Sequence, residues 1–481
     1  MSPAGGTRPR ARTRYGVVEG RLEEGGIHVF RGIPYAAPPV GTLRFAAPRP
    51  PAAWDGVRDA GAFGPTAPKA PYPDRYASLL PDPQIPGDDC LNLNVWTPDP
   101  SPGAGLPVMV WIHGGALTRG SSAVPVYDGS AFARDGVVLV SFNYRLGVLG
   151  YGVFPDAPAN RGLLDQIAAL TWVRDNIGAF GGDPGRVTVF GESAGAISVG
   201  ALMAAPGAAG LFARAVMQSG PPEVLPRERT RPMVRRMASL LKVPATAKAF
   251  TAAALPDLLA AQAAVLRRSG PVTGGPAFGL VADPDSLPED PAAAVACAVP
   301  LLAGWTAEEY RLWLAPTGAM RVLDRMGPLA VELARVRSGK DRAAVRALRA
   351  DLPGAGPADL AGHLLTDRLL RDPLRRLAAA RRPAPTHLYE FRWPSGVPGL
   401  GACHALELGF VFDTLHKPES AWLAGPDAPQ ALADEMHAAW VGFAAAGDPG
   451  WAPWDGDGPP KVFGGPSWEE RDAQRAVGVT P

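Results

Sequence analysis

Residues 187–195 read VTVFGESAG, a short apolar run followed by a serine between two glycines. The run has the composition of a buried strand, and the small residues after Ser193 continue in a helical pattern to Ala204. A tight turn between a strand and a helix leaves no space for side chains at Gly191 and Gly195, and it pushes the serine hydroxyl outward. The stretch therefore predicts a strand, a sharp turn and a helix that present Ser193 as a nucleophile.

Similar apolar runs recur along the chain and are separated by helical patterns. Runs typical of strands buried on both faces lie at residues 108–112, 137–142, 187–190, 299–303 and 388–391. Shorter strands are predicted at residues 15–19, 27–30 and 92–97. The alternation predicts an α/β fold with a mostly parallel, doubly wound sheet, whose ligand site lies at the carboxyl ends of the strands.

A glycine-rich loop follows another of these predicted strands. Residues 113–116 read His-Gly-Gly-Ala, and only Gly and Ala let a backbone approach an ester closely. The amides of Gly115, Ala116 and Ala194 are therefore predicted to form an oxyanion hole, although an ordinary glycine turn is the alternative. We interpret His113 as a residue that fixes the shape of this loop by a hydrogen bond.

A general base is expected among the histidines that follow Ser193 in the chain. The candidates are His363, His387, His404, His416 and His437. His404 is favoured because it ends a glycine-rich loop after the strand predicted at residues 388–391, and catalytic groups often lie on such loops. The other four begin a strand, fall in helical patterns or come one element later.

The acid that would orient this histidine has two candidates. Glu308 and Glu309 both follow the strand predicted at residues 299–303. A carboxylate that accepts a hydrogen bond from the histidine Nδ1–H fixes the tautomer and stabilises the imidazolium formed when the serine loses its proton. Position along the chain leaves the choice between the two open.

The composition favours a globular enzyme of small-molecule chemistry. Of 481 residues, 47% are hydrophobic, and a net charge of +1 spread along the chain offers no basic surface for nucleic acid or membrane. Residues 1–14 lack the apolar stretch of a secretory signal, and Cys90, Cys297 and Cys403 have no metal or redox spacing. We expect a cytoplasmic, disulfide-free enzyme that uses no cofactor or metal.

From about residue 14 to about residue 455 the chain resembles the type-B carboxylesterase and cholinesterase family. Two signatures carry the resemblance: residues 180–195, which include the serine turn, and residues 89–95, which read DCLNLNV. Further similar segments are residues 31–36, 143–145, 162–166 and 401–408. The chain is most similar to the bacterial para-nitrobenzyl-esterase-like members. The resemblance implies an α/β-hydrolase fold and a serine carboxylic-ester hydrolase.

The resemblance also implies roles for single residues. It places the acid at Glu309 and the base at His404, and it assigns Gly115, Ala116 and Ala194 to the oxyanion hole. It assigns Arg44, Asp89 and Glu192 to buried charged scaffolding. Three departures from the family pattern are Glu308 in place of aspartate, Tyr310 in place of glycine, and the lack of a cysteine upstream of Cys90 to form the disulfide of many members.

We therefore expect one catalytic domain over residues 1–481, with helical insertions near the site at roughly 221–291 and 320–382. The expected substrates are small to medium apolar or aryl esters, cleaved through an acyl-enzyme on Ser193. A carbamate or amide hydrolase, an acyltransferase and a non-catalytic binding protein are the alternatives. Leu117, Trp305 and Phe410 are either pocket residues or plain core, and a monomer and a homodimer are both compatible with the sequence.

Overall fold

A computed structural model describes residues 8–267, 278–288, 291, 297–381 and 384–465. The ends of the expected domain, residues 1–7 and 466–481, lie outside the described residues. So do residues 268–277 and 289–290 of the first expected insertion and residue 382 of the second.

The strands are labelled in chain order. They are β1 (Arg10–Arg12), β2 (Val17–Glu19), β3 (Arg21–Leu22), β4 (His28–Pro34), β5 (Val57–Asp59), β6 (Asn92–Thr97), β7 (Leu106–Ile112), β8 (Val138–Phe142), β9 (Gly182–Glu192), β10 (Arg214–Gln218), β11 (Leu301–Thr306), β12 (Thr386–Phe391) and β13 (Lys461–Phe463). Within the described residues, β1, β2 and β5 form a small sheet and the other strands form one large sheet.

The helices are labelled in the same way. They are α1 (Asp74–Ala77), α2 (Ser130–Arg134), α3 (Gly147–Tyr151), α4 (Arg161–Asn176), α5 (Ala194–Ala204), α6 (Arg227–Leu241), α7 (Ala247–Ala252), α8 (Leu255–Leu266), α9 (Tyr310–Leu314), α10 (Ala319–Met326), α11 (Pro328–Ser338), α12 (Arg342–Asp351), α13 (Pro357–Thr366), α14 (Asp372–Ala380), α15 (Leu408–Val411), α16 (Pro418–Ala424) and α17 (Gln430–Ala446). None of these helices, in the described part of the chain, is long and apolar enough to cross a bilayer.

The large sheet has the strand order β13-β12-β11-β10-β9-β7-β8-β6-β4-β3. Neighbours from β13 to β8 are parallel, whereas β6, β4 and β3 continue the sheet in antiparallel pairs. The mostly parallel sheet expected from the sequence is confirmed. Parallel pairing places the carboxyl ends of β7, β9, β11 and β12 at one edge, so the loops that follow them can meet there.

Three strands of the large sheet were not expected: the two-residue edge strand β3, and β10 and β13 in its parallel part. β10 (Arg214–Gln218) has an apolar centre only three residues long between a charged and a polar residue, and β13 (Lys461–Phe463) is only three residues in all. Both gain their strand conformation from pairing with a neighbour that is already in the sheet. β13 follows β12 in the chain and pairs with it at the edge of the sheet. The strand before His404, β12, is therefore neither the final strand of the chain nor the edge strand.

The central strand β7 shows why the predicted runs are apolar on both faces. Val108, Val110 and Ile112 pack in one hydrophobic cluster, and Met109 and Trp111 pack in the other. Side chains alternate between the two faces of a strand, so a sheet covered by helices on both sides needs apolar residues at every position. At about 25 cal/mol per Å² of apolar surface removed from water, this burial is the main stabilisation of the sheet.

The described parts of residues 221–291 and 320–382 are mainly helical. The first contains α6, α7 and α8, and apart from helices it has isolated bridges such as Leu225 with Val281. The second contains α10 to α14, with α10 and α11 both packed on α13. That these stretches are insertions into a single catalytic domain stays a prediction.

Candidate active site

The turn at Ser193 joins the centre of the sheet to a helix. β9 ends at Glu192 and α5 begins at Ala194, so Ser193 alone makes the turn, with φ 55° and ψ −120°. A non-glycine residue in this conformation is strained. A Cβ on Gly195 would lie 2.0 Å from the Ile112 carbonyl oxygen, so helix and strand can approach this closely only with glycine there.

The loop at residues 113–120 is strained in the same way and lies directly beside the serine turn. Gly115 has φ 108°, and Ala116 and Leu117 have φ 54° and 57°, all in the left-handed region. A Cβ on Gly114 would meet Glu192 Oε2 at 2.6 Å. The backbone predicted to form the oxyanion hole is therefore in contact with the residues of the turn.

Hydrogen bonds hold the loop at residues 113–120 at its amino end and at its centre. The Tyr144 hydroxyl donates to the His113 carbonyl at 2.7 Å, and the Gly147 amide donates to the Leu117 carbonyl at 2.7 Å. Burial lowers the pKa of His113 to about 3, so the ring is neutral, and its Nδ1 lies 2.8 Å from the Gly114 carbonyl, to which it donates. The shape-fixing hydrogen bond expected of His113 is present.

Tyr144 belongs to one of the segments that carried the family resemblance, and the next residue, Arg145, joins this segment to another of them. Arg145 forms a fully buried ion pair with Asp165, with Nη2 2.7 Å from Oδ1 and Nε 2.8 Å from Oδ2. Two segments distant in sequence, residues 143–145 and 162–166, are thereby joined beneath the loop. Removing one partner would leave a buried charge without compensation, which typically costs 3–5 kcal/mol.

The loop after β12 brings His404 to the loop after β11. His404 Nδ1 lies 2.5 Å from Glu309 Oε2, and the other oxygen of Glu309 accepts a hydrogen bond from the Thr306 amide at 2.8 Å. Glu308 points elsewhere: it pairs with Arg311 and accepts from the Ala402 amide at 2.9 Å. Of the two carboxylates that position along the chain left open, Glu309, the one that the family resemblance favours, is in contact with His404.

The second nitrogen of His404 faces Glu192. The distance from Nε2 to Glu192 Oε1 is 3.0 Å, and among the hydrogen bonds of the described residues none joins the Ser193 hydroxyl to His404. The structure thus brings His404 and Glu309 together. The residue that Nε2 contacts, Glu192, directly precedes Ser193 in the chain. Glu192 was expected to be scaffolding, but its carboxylate lies inside the site.

These two carboxylates determine the charge state of His404. Burial alone would lower the pKa of its ring, but Glu192 and Glu309 outweigh burial and hold the pKa well above its ordinary value. The resting arrangement therefore favours an imidazolium between two carboxylates.

A third buried carboxylate, Glu407, lies close to this group. Burial raises its pKa, and the negative charges of Glu192 and Glu309 raise it further. Its Oε1 accepts a hydrogen bond from Gln218 Nε2 at 3.2 Å, which places it behind the turn, since Gln218 also accepts from the Ser193 amide through its carbonyl. Glu407 was not predicted to be a site residue, although it lies within the family-like segment at residues 401–408.

The aromatic residue beside His404 is one that the sequence did not suggest, and Trp305 and Phe410 take the core role that was one of their two alternatives. The ring of Trp313 lies 5.0 Å from the His404 ring, whereas Trp305 and Phe410 are fully buried core residues. Leu117 is also buried, and its contribution to the oxyanion loop is its strained backbone. Trp313 lies on α9 (Tyr310–Leu314), the short helix that begins directly after Glu309. It follows Glu309 by four residues, about one helical turn, and this spacing is the only sequence signal that would have placed it near the site.

Tyr310, the residue that departs from the family's glycine, is packed against the second helical stretch. Its hydroxyl donates to Asp359 at 3.0 Å, and a Cβ on Gly362 would lie 2.2 Å from its ring. Tyr310 and Gly362 thus fit together as a large and a small residue across the contact of α9 with α13. The turn at Glu309 tolerates tyrosine because α13 offers a glycine opposite it.

Comparison with known proteins agrees with this arrangement of parts. The family model described as the carboxylesterase family matches residues 7–474. The chain belongs to the carboxylesterase family. It is a carboxylic-ester hydrolase with the α/β-hydrolase fold. In the described residues no group of histidine, cysteine or acidic side chains is arranged to hold a metal ion.

Individual relatives extend over nearly the whole chain. A para-nitrobenzyl esterase of Bacillus subtilis is 39% identical over 91% of this chain and 90% of its own length. A phenmedipham hydrolase of Pseudarthrobacter oxydans is 36% identical over 92% of this chain and 91% of its own length. Among solved structures, a Geobacillus stearothermophilus carboxylesterase superimposes with a TM-score of 0.80 at 36% identity, covering 95% of this chain and 93% of that one.

Proposed function

We propose that Ser193, His404 and Glu309 are the catalytic triad of this carboxylesterase, and that the amides of Gly115, Ala116 and Ala194 are its oxyanion hole. The observation that carries the proposal is the 2.5 Å contact of His404 with Glu309 at the sheet edge that also holds the strained serine turn. A nucleophile, a base and a third group that orients the base are the arrangement required for acyl transfer.

The reaction proceeds through an acyl-enzyme. Ser193 Oγ attacks the ester carbonyl carbon, its proton passes to His404 Nε2, and the carbonyl electron pair moves to the oxygen as an oxyanion held by the three amides. The alcohol leaves with that proton, and water then repeats the sequence to release the acid. His404 acts in its neutral form, so the imidazolium favoured at rest first releases its Nε2 proton to solvent. Nε2 then turns from Glu192 to Ser193, since catalytic hydrogen bonds often form only in the substrate complex.

We also propose small to medium apolar or aryl esters as the substrates. The names of the two bacterial relatives, a para-nitrobenzyl esterase and a phenmedipham hydrolase, support aromatic substrates. Trp313, whose ring lies beside that of His404, gives the site an aromatic neighbour suited to such groups.

The test is ester hydrolysis by Ser193→Ala beside the wild-type enzyme. With para-nitrophenyl esters of increasing acyl length, and with a para-nitrobenzyl ester, we expect kcat of the variant to fall by about a million-fold. The wild-type enzyme should show a burst of para-nitrophenol equal to the enzyme concentration. Ser198→Ala is the matched control, because Ser198 lies on α5 and its hydroxyl bonds to the Ala194 carbonyl.

Either of two results would contradict the proposal. One is hydrolysis by folded Ser193→Ala at the wild-type rate, and the other is a loss of activity as large in Ser198→Ala. The acyl-length optimum of the wild-type enzyme measures the size of the acyl pocket.

The remaining proposals concern the whole chain. We propose that residues 1–481 are one catalytic domain with the helical insertions described above, and that the enzyme is a cytoplasmic monomer or homodimer. Cys90, Cys297 and Cys403 are free thiols, which supports a reducing compartment. Cell fractionation and light scattering of the purified enzyme test these points.

A further inference from the structure

Lys69 is a buried cation on a loop that lies next to the strained backbone at residues 113–120. Its side chain is 1% exposed, and Nζ lies 2.7 Å from Asp82 Oδ1. A buried lysine is rare unless it is paired, and here the partner comes from the other end of the same loop. The loop is closed at its base, where the Thr66 amide donates to the Ile85 carbonyl at 3.0 Å and the Ile85 amide donates to Thr66 Oγ1 at 3.1 Å.

The ammonium of Lys69 makes its remaining contact with the oxyanion loop. Nζ donates to the Gly120 carbonyl at 2.9 Å. Gly120, with φ 96°, is packed so tightly that a Cβ on it would lie 2.3 Å from the Gly114 carbonyl oxygen and 2.4 Å from His113 Nδ1. A shift at Gly120 is therefore transmitted directly to the peptide groups at residues 113–115.

Strained backbone persists only where its surroundings hold it. The left-handed residues 115–117 are held at the Leu117 carbonyl by the amide of Gly147, and three residues further on Lys69 holds the Gly120 carbonyl. The charge of Lys69 also reaches this loop, because it contributes to lowering the pKa of His113 after the larger effect of burial.

We propose that Lys69 is a positioning residue: it holds the Gly120 carbonyl and so fixes the amides of residues 115–116 to face the oxyanion. Asp82 neutralises the buried ammonium and orients it. This inference rests on the proposed function, because it requires an oxyanion at these amides. It predicts that loss of Lys69 weakens binding of the transition state and leaves binding of the ester ground state nearly unchanged.

The test compares Lys69→Met with the double variant Lys69→Met/Asp82→Asn, Lys69→Arg and the wild-type enzyme. Lys69→Met alone leaves the Asp82 carboxylate buried without a partner and lowers stability, whereas the double variant removes both charges and avoids that penalty. Each kcat is expressed per active site titrated with a phosphonate, so that unfolded enzyme does not lower the value.

For para-nitrophenyl butyrate we expect kcat to fall about 10- to 100-fold in the double variant, less than the roughly 100- to 1000-fold cost of removing an oxyanion donor, with KM within about twofold. Lys69→Arg should recover part of the loss, because a guanidinium can still donate to Gly120. Lys340→Met is the matched control: Lys340 Nζ is 2.8 Å from Asp372 Oδ2 in the second helical stretch, and kcat should not change.

A transition-state analogue gives the deciding readout. With an alkyl trifluoromethyl ketone, Ser193 Oγ bonds to the carbonyl carbon, the carbonyl electron pair becomes an oxyanion, and the serine proton passes to His404. The inhibition constant of this ketone should rise by the same factor as kcat falls. A double variant with wild-type kcat, or with lowered kcat and unchanged ketone affinity, would overturn the role of Lys69. An active Ser193→Ala would instead overturn the proposed function.

Discussion

Two parts of the protein differ in backbone geometry and in burial. One is the carboxyl edge of the sheet, with residues 113–120 and 191–195, and the other is residues 319–338 in the second helical stretch. At the sheet edge, left-handed backbone occurs at Ala116, Leu117 and Ser193. In the helical stretch, non-glycine residues have ordinary helical geometry but large apolar side chains are exposed. They are Val322, Met326, Leu329, Leu333 and Val336.

The difference shows that the strained, destabilising backbone of this molecule is concentrated at the candidate active site. A left-handed non-glycine residue costs about 1–3 kcal/mol, so the sheet edge keeps its geometry only through the bonds and close contacts around it. The exposed helical face has no such contacts, and single exposed apolar residues carry little stability. Substitutions at the edge should therefore act on kcat, and substitutions on the exposed face should have almost no effect.

The strongest way to test this contrast uses two adjacent carboxylates. We expect Glu309→Gln to lower kcat about 10,000-fold, because the amide no longer fixes the His404 tautomer or stabilises its imidazolium. Glu308→Gln should change kcat only a few-fold, since Glu308 bonds to Arg311 and to the Ala402 amide. Steady-state kinetics with para-nitrophenyl butyrate measure both. A larger loss for Glu308→Gln would mean that the acid is wrongly assigned.

The second prediction concerns the close approach of helix and strand. Gly195→Ala places a methyl group 2.0 Å from the Ile112 carbonyl oxygen, and neither backbone can move without displacing Ser193. We expect kcat to fall about 100-fold or more, as when an oxyanion donor is lost. Gly178→Ala is the control, because a Cβ there meets nothing within 4 Å. Normal kinetics in Gly195→Ala would contradict the rigidity inferred for this edge.

The features that the sequence predicted well are local ones. The serine turn and the glycine-rich loop each need small residues at fixed positions in a few consecutive residues, so VTVFGESAG and His-Gly-Gly-Ala predict their own geometry. The helix α5 and the strand β6 also have the predicted bounds, because the residue pattern of each is complete within its own segment. The position of His404 at the edge of the sheet was predictable because it ends a glycine-rich loop that follows a strand.

What the sequence could not predict depends on side-chain direction and on contacts between distant segments. Glu309 rather than Glu308 meets His404 because the turn after β11 points one carboxylate inward; spacing carries no such information, and only the family resemblance favoured Glu309. The Glu192 contact with His404 Nε2, and the hydrogen bond from Lys69 to Gly120, join segments separated by at least 50 residues. β10 and β13 were missed because tertiary pairing outweighs their weak local preference.

The third prediction is a change in pH dependence at Glu192. In the proposed mechanism His404 must be neutral to accept the serine proton, so we expect activity to be lost as the pH falls through its raised pKa. Glu192→Gln removes the largest of the charges that raise this pKa, and the acidic limb of the kcat/KM profile should move to lower pH. Glu407→Gln should move it less, because burial already favours the neutral form of Glu407. An unchanged limb in Glu192→Gln would contradict this account.

The smallest effect is expected on the exposed helical face, and it tests the other side of the contrast. Leu333→Ala on α11 removes a side chain that is more than half exposed, so the free energy of unfolding should change by less than about 0.5 kcal/mol, with kcat/KM unchanged. Leu364→Ala, on the α13 helix beneath, removes a buried leucine and should cost about 2–5 kcal/mol. Thermal and urea unfolding measure both. If Leu333→Ala were as destabilising as Leu364→Ala, this face would have to be covered in solution, and the exposed leucine would belong to an interface rather than to the solvent side of the fold.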